Sequence, residues 1–151
     1  MKKKMVIVGG GFAGISAARV FSRFKKYTEC LIIDRKDYFE FLPLLPDVIG
    51  GKIRPEFLRV SLLDLGRKLG FDFKKEVVEK VAFPQRTVFT GNGRPVDYDY
   101  LLVSCGSETN FYGNDAIKSG ACKLDSVEDA EKIVNEIESL TSNCIPKDNG
   151  E

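Results

Sequence analysis

The sequence predicts an α/β fold in which a parallel sheet carries an antiparallel β-meander insertion. Three observations predict it. A short apolar run, Met5 to Val8, passes directly into glycines at 9, 10, 11 and 14 and then into a helical pattern. A second apolar run, Cys30 to Ile33, follows that helix and closes on an acid, Asp34. From Phe71 onward the pattern alternates with period two, through Val77 to Phe83 and Arg86 to Thr90, into a Gly91-Asn92-Gly93 turn. Strand, helix and strand in that order make a parallel crossover unit, while a tight glycine turn between β-rich segments makes a hairpin.

The first run has no polar alternation, as suits a strand buried on both faces. Gly9, Gly11 and Gly14 then fall at the G-x-G-x-x-G spacing of a Rossmann-like dinucleotide site. Gly9 permits the tight turn, Gly11 lets backbone approach a pyrophosphate with no Cβ between them, and Gly14 lets the helix pack hard on the strand. The helix N-terminus, with its unpaired N–H groups and positive dipole end, faces the phosphates. Ile15, Ala18, Phe21 and Phe24 form an apolar stripe, with Arg19, Ser22, Arg23, Lys25 and Lys26 largely on other faces. Asp34 lies twenty residues beyond Gly14, where an acid accepts hydrogen bonds from the adenosine ribose. A lone glycine motif is weak evidence, and the surrounding strand, helix and acid are what give this one weight.

Between Arg35 and Gly51 the chain is rich in apolar and aromatic residues and broken by Pro43 and Pro46. Such a stretch needs cover, and the pattern leaves open whether the core or a flat ligand supplies it. Pro55-Glu56-Phe57 reads as a helix start with proline at N1. Ser61 to Leu69 reads as a second short helix, with Ser61 and Asp64 at capping-box spacing and Gly70 as its stop. Phe71-Asp72-Phe73 is read with the β-rich segments after it as one antiparallel meander. Tyr98 to Val103 is a buried strand ending in Ser104-Cys105-Gly106-Ser107, small residues at the edge where open α/β sheets bind ligands. A last helix opens at Asp125-Ser126, with Ser126 and Asp129 as capping box and Ile133, Ile137 and Leu140 as its apolar face, and stops near Asn143.

Composition narrows the function. The 151 residues make about one domain, and 43% hydrophobic with 30% charged residues is ordinary for a folded chain. The formal charge is +1, and the basic cluster Lys2-Lys3-Lys4 reads as a solvated N-terminus, so nucleic acid is set aside. No apolar run reaches the ~18 residues of a membrane span, and the first strand follows the lysines too soon and too briefly to be read as a signal peptide. Cys30, Cys105, Cys122 and Cys144 show no C-x-x-C spacing and histidine is absent, so a metal site is not expected and reduced thiols are.

Three stretches carry a family resemblance: Val6 to Asp34, Tyr38 to Gly50 with its Phe-x-Pro-Leu-Leu segment, and Tyr98 to Val103 running to Gly106-Ser107. The chain resembles the N-terminal part of the two-dinucleotide flavoprotein oxidoreductases, most of all type II NADH dehydrogenases. The resemblance implies an FAD site in which Gly9, Gly11, Phe12, Ala13 and Gly14 hold the diphosphate. Asp34, with Arg35 beside it, would hold the ribose, and Val78 the adenine through its backbone. Phe39 to Leu45, with Pro43, would cover the flavin ring, and Ser104, Cys105 and Gly106 match the second FAD motif, usually Ala-Thr-Gly. Asp34 stands where the family more often has Glu, a shorter reach with the same chemistry.

The same resemblance implies activity for a longer enzyme: electrons pass from NADH through FAD to a quinone or similar acceptor. NADH would bind through a second glycine fingerprint, and none recurs in this sequence after Gly14. Residues 1–145 are accordingly read as the N-terminal portion of the FAD-binding domain and 146–151 as a linker toward an absent NADH-binding domain. The 151-residue chain by itself is expected to be inactive. Its partners are FAD and either the remainder of the enzyme or a second copy of the chain. The full-length enzyme is placed in the cytoplasm, peripheral on the inner face of the membrane, with the membrane contact not encoded here. Two alternatives stay open, a sulfide:quinone reductase fragment and a non-catalytic dinucleotide-binding module. No catalytic residue is named by the sequence itself. Cys122 is the candidate thiol, by analogy with sulfide:quinone reductases, against the blander reading of a small hydrophobe.

Overall fold

The structure is a computed structural model that describes residues 2–144, so the tail expected as a linker, 146–151, lies outside the described residues. In chain order the elements are β1 (Lys3–Val8), α1 (Phe12–Phe21), β2 (Thr28–Asp34), β3 (Tyr38–Glu40), α2 (Leu45–Ile49), β4 (Arg59–Ser61), α3 (Leu62–Leu69), β5 (Asp72–Lys75), β6 (Val78–Ala82), β7 (Thr87–Thr90), β8 (Pro95–Asp97), β9 (Tyr100–Val103), α4 (Asp115–Gly120) and α5 (Val127–Cys144). They fall into two compact units, residues 1–39 with 59–107, and residues 40–58 with 108–151.

The first unit is built on a four-stranded sheet of order β5-β2-β1-β9, with β3 and β4 as a separate pair and β6-β7-β8 as a three-stranded sheet. All three pairings of the main sheet are parallel, Val6 opposite Leu31, Val6 opposite Leu101 and Ile32 opposite Phe73. Alternate residues of the central strands point to opposite faces. Met5, Ile7 and Ile32 pack on one face with Ala18 of α1 and with Leu65 and Leu69 of α3. Val6 and Ile33 pack on the other with Val88 and Val96 of the meander. Both faces are covered, which is why β1 reads as an unbroken apolar run.

Several sequence expectations are corrected by the structure. The strand expected to be buried over Tyr98 to Val103 is the outer strand β9, with Tyr100 and Val103 54% and 59% exposed. Asp72 and Phe73 belong to β5, which pairs parallel with β2 in the main sheet, and the antiparallel meander comprises β6, β7 and β8. Alternation identifies a strand but not its partner, and here the partner lies across α3. That helix begins and ends as expected: the Asp64 amide donates to the Ser61 hydroxyl at 3.2 Å, and Gly70 closes it at φ +87°. The expected helix at Pro55 is a single 3-10 turn, Pro55–Leu58.

The second unit packs Leu45 and Val48 of α2, Leu58, and Val127 and Ala130 of α5 into one small core. The capping box of α5 is present, the Asp129 amide donating to Ser126 Oγ at 3.2 Å while Asp129 Oδ2 accepts the Asp125 amide at 3.1 Å. Its burial departs from expectation. The first turn is buried, whereas Ile137 and Leu140 are 47% and 61% exposed, because α2 and Leu58 reach only the start of the helix. Among the described residues no helix is long and apolar enough to cross a membrane.

Candidate dinucleotide site

The carboxyl end of β1 is held on both sides before the glycines begin. The Gly9 amide donates to the Ile33 carbonyl at 2.9 Å, and the Ser104 amide donates to the Val8 carbonyl at 2.8 Å. Gly9 then turns the chain at φ +104°, where a side chain is strained. A Cβ there would run into the Ser104 carbonyl, and a Cβ on Gly14 would overlap the Gly9 carbonyl. Strand, turn and helix are in backbone contact at these two points, so neither tolerates a larger residue.

Gly11 is the opposite case. It is the N-cap of α1, at φ −80°, and nothing lies within 4 Å of where its Cβ would be. No side chain caps α1, and its first turn carries no acid. A helix end of this kind, open over Gly11 and positive by its dipole, has the space and polarity for a diphosphate. The exposed Phe12 opens the helix, its ring edge-on to Phe39 with centroids 4.8 Å apart. Ala13 is exposed beside it.

Asp34 ends β2 with its carboxylate turned back to this loop. Its Oδ2 accepts the Gly10 amide at 2.6 Å and its Oδ1 accepts the Lys36 amide at 2.9 Å. Each carboxylate oxygen has a second lone-pair site, so capacity for a hydroxyl donor remains. Arg35 next to it is exposed. Ser104 bridges the turn from β9: its hydroxyl lies 3.1 Å from the Val8 carbonyl and 3.0 Å from that of Gly9. The exposed Cys105 thiol sits 3.7 Å from the Val8 carbonyl, and Gly106 follows at φ +75°.

The first unit thus brings the glycine turn, Asp34 and Ser104 to Gly106 together at one edge of the parallel sheet. Val78 lies in the same unit at the start of β6, opposite Thr90. Pro43 belongs to the second unit, exposed in a 3-10 turn over Leu42–Leu44. Cys122 is in the second unit too, its thiol 3.4 Å from Glu136 Oε2. Hydrogen bonding to that carboxylate and its negative charge push the thiol pKa up. Sequence reasoning missed the back-turned bonds of Asp34, for which the only signal was an acid one residue after a buried strand.

The family profile of pyridine nucleotide-disulphide oxidoreductases matches residues 3–143. The chain belongs to that family. Within it, the chain is 27% identical over 146 residues to a sulfide-quinone reductase of Aquifex aeolicus, covering 97% of this chain and 34% of that protein. It is 30% identical over 143 residues to an external alternative NAD(P)H-ubiquinone oxidoreductase, B2, of Arabidopsis thaliana, covering 87% of this chain and 24% of the relative. The solved sulfide:quinone oxidoreductase from Aquifex aeolicus superposes with a TM-score of 0.85 at 27% identity, over 93% of this chain and 33% of that one. NDH2 from Plasmodium falciparum, at 21% identity and a TM-score of 0.80 over 99% of this chain and 31% of that one, shares the fold. The chain therefore spans about a third or less of these relatives, and both curated relatives are oxidoreductases by name.

Proposed function

We propose that the chain is the FAD-holding portion of a flavoprotein that carries electrons from NADH to a quinone or similar acceptor. The observation that carries this reading is the cradle at Gly11, an uncapped helix start with open space over it, beside a carboxylate at the end of the second strand. In this reading Gly9 to Gly14 hold the diphosphate, with Phe12 and Ala13 in the first turn, Asp34 takes the ribose, and Val78 meets the adenine. Ser104, Cys105 and Gly106 close the turn from β9, and the family resemblance assigns Pro43 to the flavin ring. Bound FAD supplies the hydride-accepting and electron-passing chemistry; the protein binds and orients it. NADH is assigned to a further domain with its own glycine fingerprint, and the whole protein to the membrane surface as a peripheral enzyme.

The Aquifex relative favours a second donor, sulfide. That chemistry needs an activated cysteine, and in this chain Glu136 raises the pKa of Cys122 where a nucleophile needs it lowered. Cys122 therefore lends the sulfide reading no support, and NADH is kept as the first reading on the resemblance to type II NADH dehydrogenases.

The experiment is a titration with FAD and with NADH followed by stopped-flow reduction. FAD is expected to bind in preference to NADH, and the FAD-loaded chain to be reduced by NADH only slowly. Positioning of two reactants accounts for roughly 7–11 kcal/mol of a barrier, and the group that would position nicotinamide is assigned elsewhere. Equal affinity for the two nucleotides overturns the FAD assignment. Rapid bleaching of the flavin by this chain overturns the placement of the NADH site.

A further inference from the structure

Glu76 carries a carboxylate for which the proposed site has no use, yet its side chain is only 8% exposed. A charge that far from water is costly unless it is paired. The pairing comes from two directions. Lys74 Nζ lies 3.0 Å from Oε1, and Asn92 Nδ2, from the turn between β7 and β8, donates to the same oxygen at 2.7 Å. Thr90, 1% exposed, is the neighbour that does most to hold the carboxyl below its ordinary pKa. The Thr90 hydroxyl donates to the Arg94 carbonyl at 3.4 Å, and the buried Oε2 of Glu76 makes no hydrogen bond.

The backbone around Glu76 is held in the same way. Its amide donates to the Asp34 carbonyl at 2.9 Å, and the next carbonyl, of Val77, accepts the Gly91 amide at 3.0 Å. Val78 then pairs with Thr90, and the β6–β7 register shifts between Val78 and Lys80. Residues 76–78 are thus strung between the end of β2 and residues 90–92, with an irregular ladder immediately beyond. Where the regular ladder is this short, the bonds of the Glu76 side chain add to what fixes the course of the segment.

We infer that Glu76 is a positioning residue for the adenosine end of the dinucleotide, its carboxylate clamping the start of β6 to the Thr90–Asn92 turn so that Val78 and Asp34 stay in register. The inference rests on the FAD reading above and adds a residue outside the glycine fingerprint and its acid. Neither the Glu76 carboxylate nor Asn92 bonds to the glycine turn, which they reach only through Asp34, so the effect falls on the ADP half of the ligand, adenosine and diphosphate together.

The test measures FAD affinity by flavin fluorescence and ADP affinity by competition, on the whole chain. Glu76→Ala should weaken both by the same factor, about five- to tenfold, or about 1–1.4 kcal/mol. General loosening would cost FAD, with its additional contacts, more than ADP. Glu76→Gln, whose amide oxygen still accepts from Asn92, should recover most of the loss, and exchange at the Gly91 amide should quicken in Glu76→Ala alone. Asn92→Ala, on the exposed turn, should weaken ADP binding in the same direction and serves if Glu76→Ala does not fold. ADP affinity unchanged in the folded Glu76→Ala, or in Asn92→Ala where that variant stands in, overturns the clamp and leaves the FAD reading intact. A wild-type chain that binds neither FAD nor ADP overturns the FAD reading, and the clamp's role falls with it.

Discussion

Asp34 holds Gly10 across 24 residues of sequence, its Oδ2 accepting the Gly10 amide at 2.6 Å. The carboxylate that is expected to meet a ribose is therefore also a strut of the glycine turn. Removing it takes a charge-assisted hydrogen bond from a buried amide as well as a contact from the ligand.

Asp34→Ala should accordingly lower both FAD affinity and melting temperature, the lost bond contributing about 1.5–3 kcal/mol. Asp34→Asn keeps one carbonyl oxygen for Gly10 and should recover most of the melting temperature. Thermal denaturation without ligand separates the two roles, and an unchanged melting temperature in Asp34→Ala would show that the strut contributes nothing.

Gly11→Val and Gly14→Val should fail in different assays. Gly11 has an ordinary φ of −80° and open space around it, so valine should leave the melting temperature unchanged and abolish FAD binding. At Gly14 the new Cβ meets the Gly9 carbonyl, and overpacking against backbone should cost about 3 kcal/mol of stability. Melting curves and FAD titrations of both proteins check the contrast.

Asp99 fastens the first strand to the segment that leads into β9, accepting from Lys3 Nζ at 2.9 Å and from the Lys4 amide at 2.8 Å. The Lys3 hydrogen bond, then the Lys4 amide, hold the Asp99 carboxyl below 3.8, and Asp99 holds the Lys3 ammonium above 10.5. A lowered carboxyl contributes stability that is present above 3.8 and lost as pH falls through its folded value. A raised ammonium contributes below 10.5 and loses that as pH rises through its folded value. Urea denaturation across pH should therefore show a flatter acid limb for Asp99→Asn than for the wild type, and salt should shrink the difference because both groups reach solvent.

The thiols should label in an order set by their neighbours. Cys30 is buried and its pKa is pushed up to about 11, chiefly by desolvation, so iodoacetamide should leave it unmodified in the folded protein. Cys122 is exposed but carries the charge of Glu136, and should react more slowly than a model thiol at pH 8. Glu136→Gln removes the charge that raises the pKa and should speed that reaction. Peptide mass spectrometry over a time course reads both effects.

The parts of the fold that could be read in advance are those whose signals are local. Met5 to Val8, the glycine spacing and Asp34 lie within one crossover unit, and Ser61 and Gly70 mark both ends of α3 by cap chemistry alone. Partnership between strands is not local, and β5 was assigned to the wrong sheet for that reason. β3 and β4 are three residues each, too short for periodicity to register, and six-residue α4 was missed although Asn114 caps it by accepting the Ile117 amide. The same distinction runs through the site. Asp34 could be picked out by type and spacing, whereas its bond to Gly10 and the clamp at Glu76 depend on where loops from distant positions come to rest.

The Ser104 hydroxyl lies against the carbonyls of Val8 and Gly9, 96 and 95 residues back along the chain. A contact between such distant positions waits on closure of the intervening chain, and closing a longer loop takes more conformational entropy. The glycine turn is synthesised before the meander, but the strand and hydroxyl that fasten it come only after it. In the FAD reading, capture of the nucleotide would wait on that closure, with residues 72–104 in place around the turn.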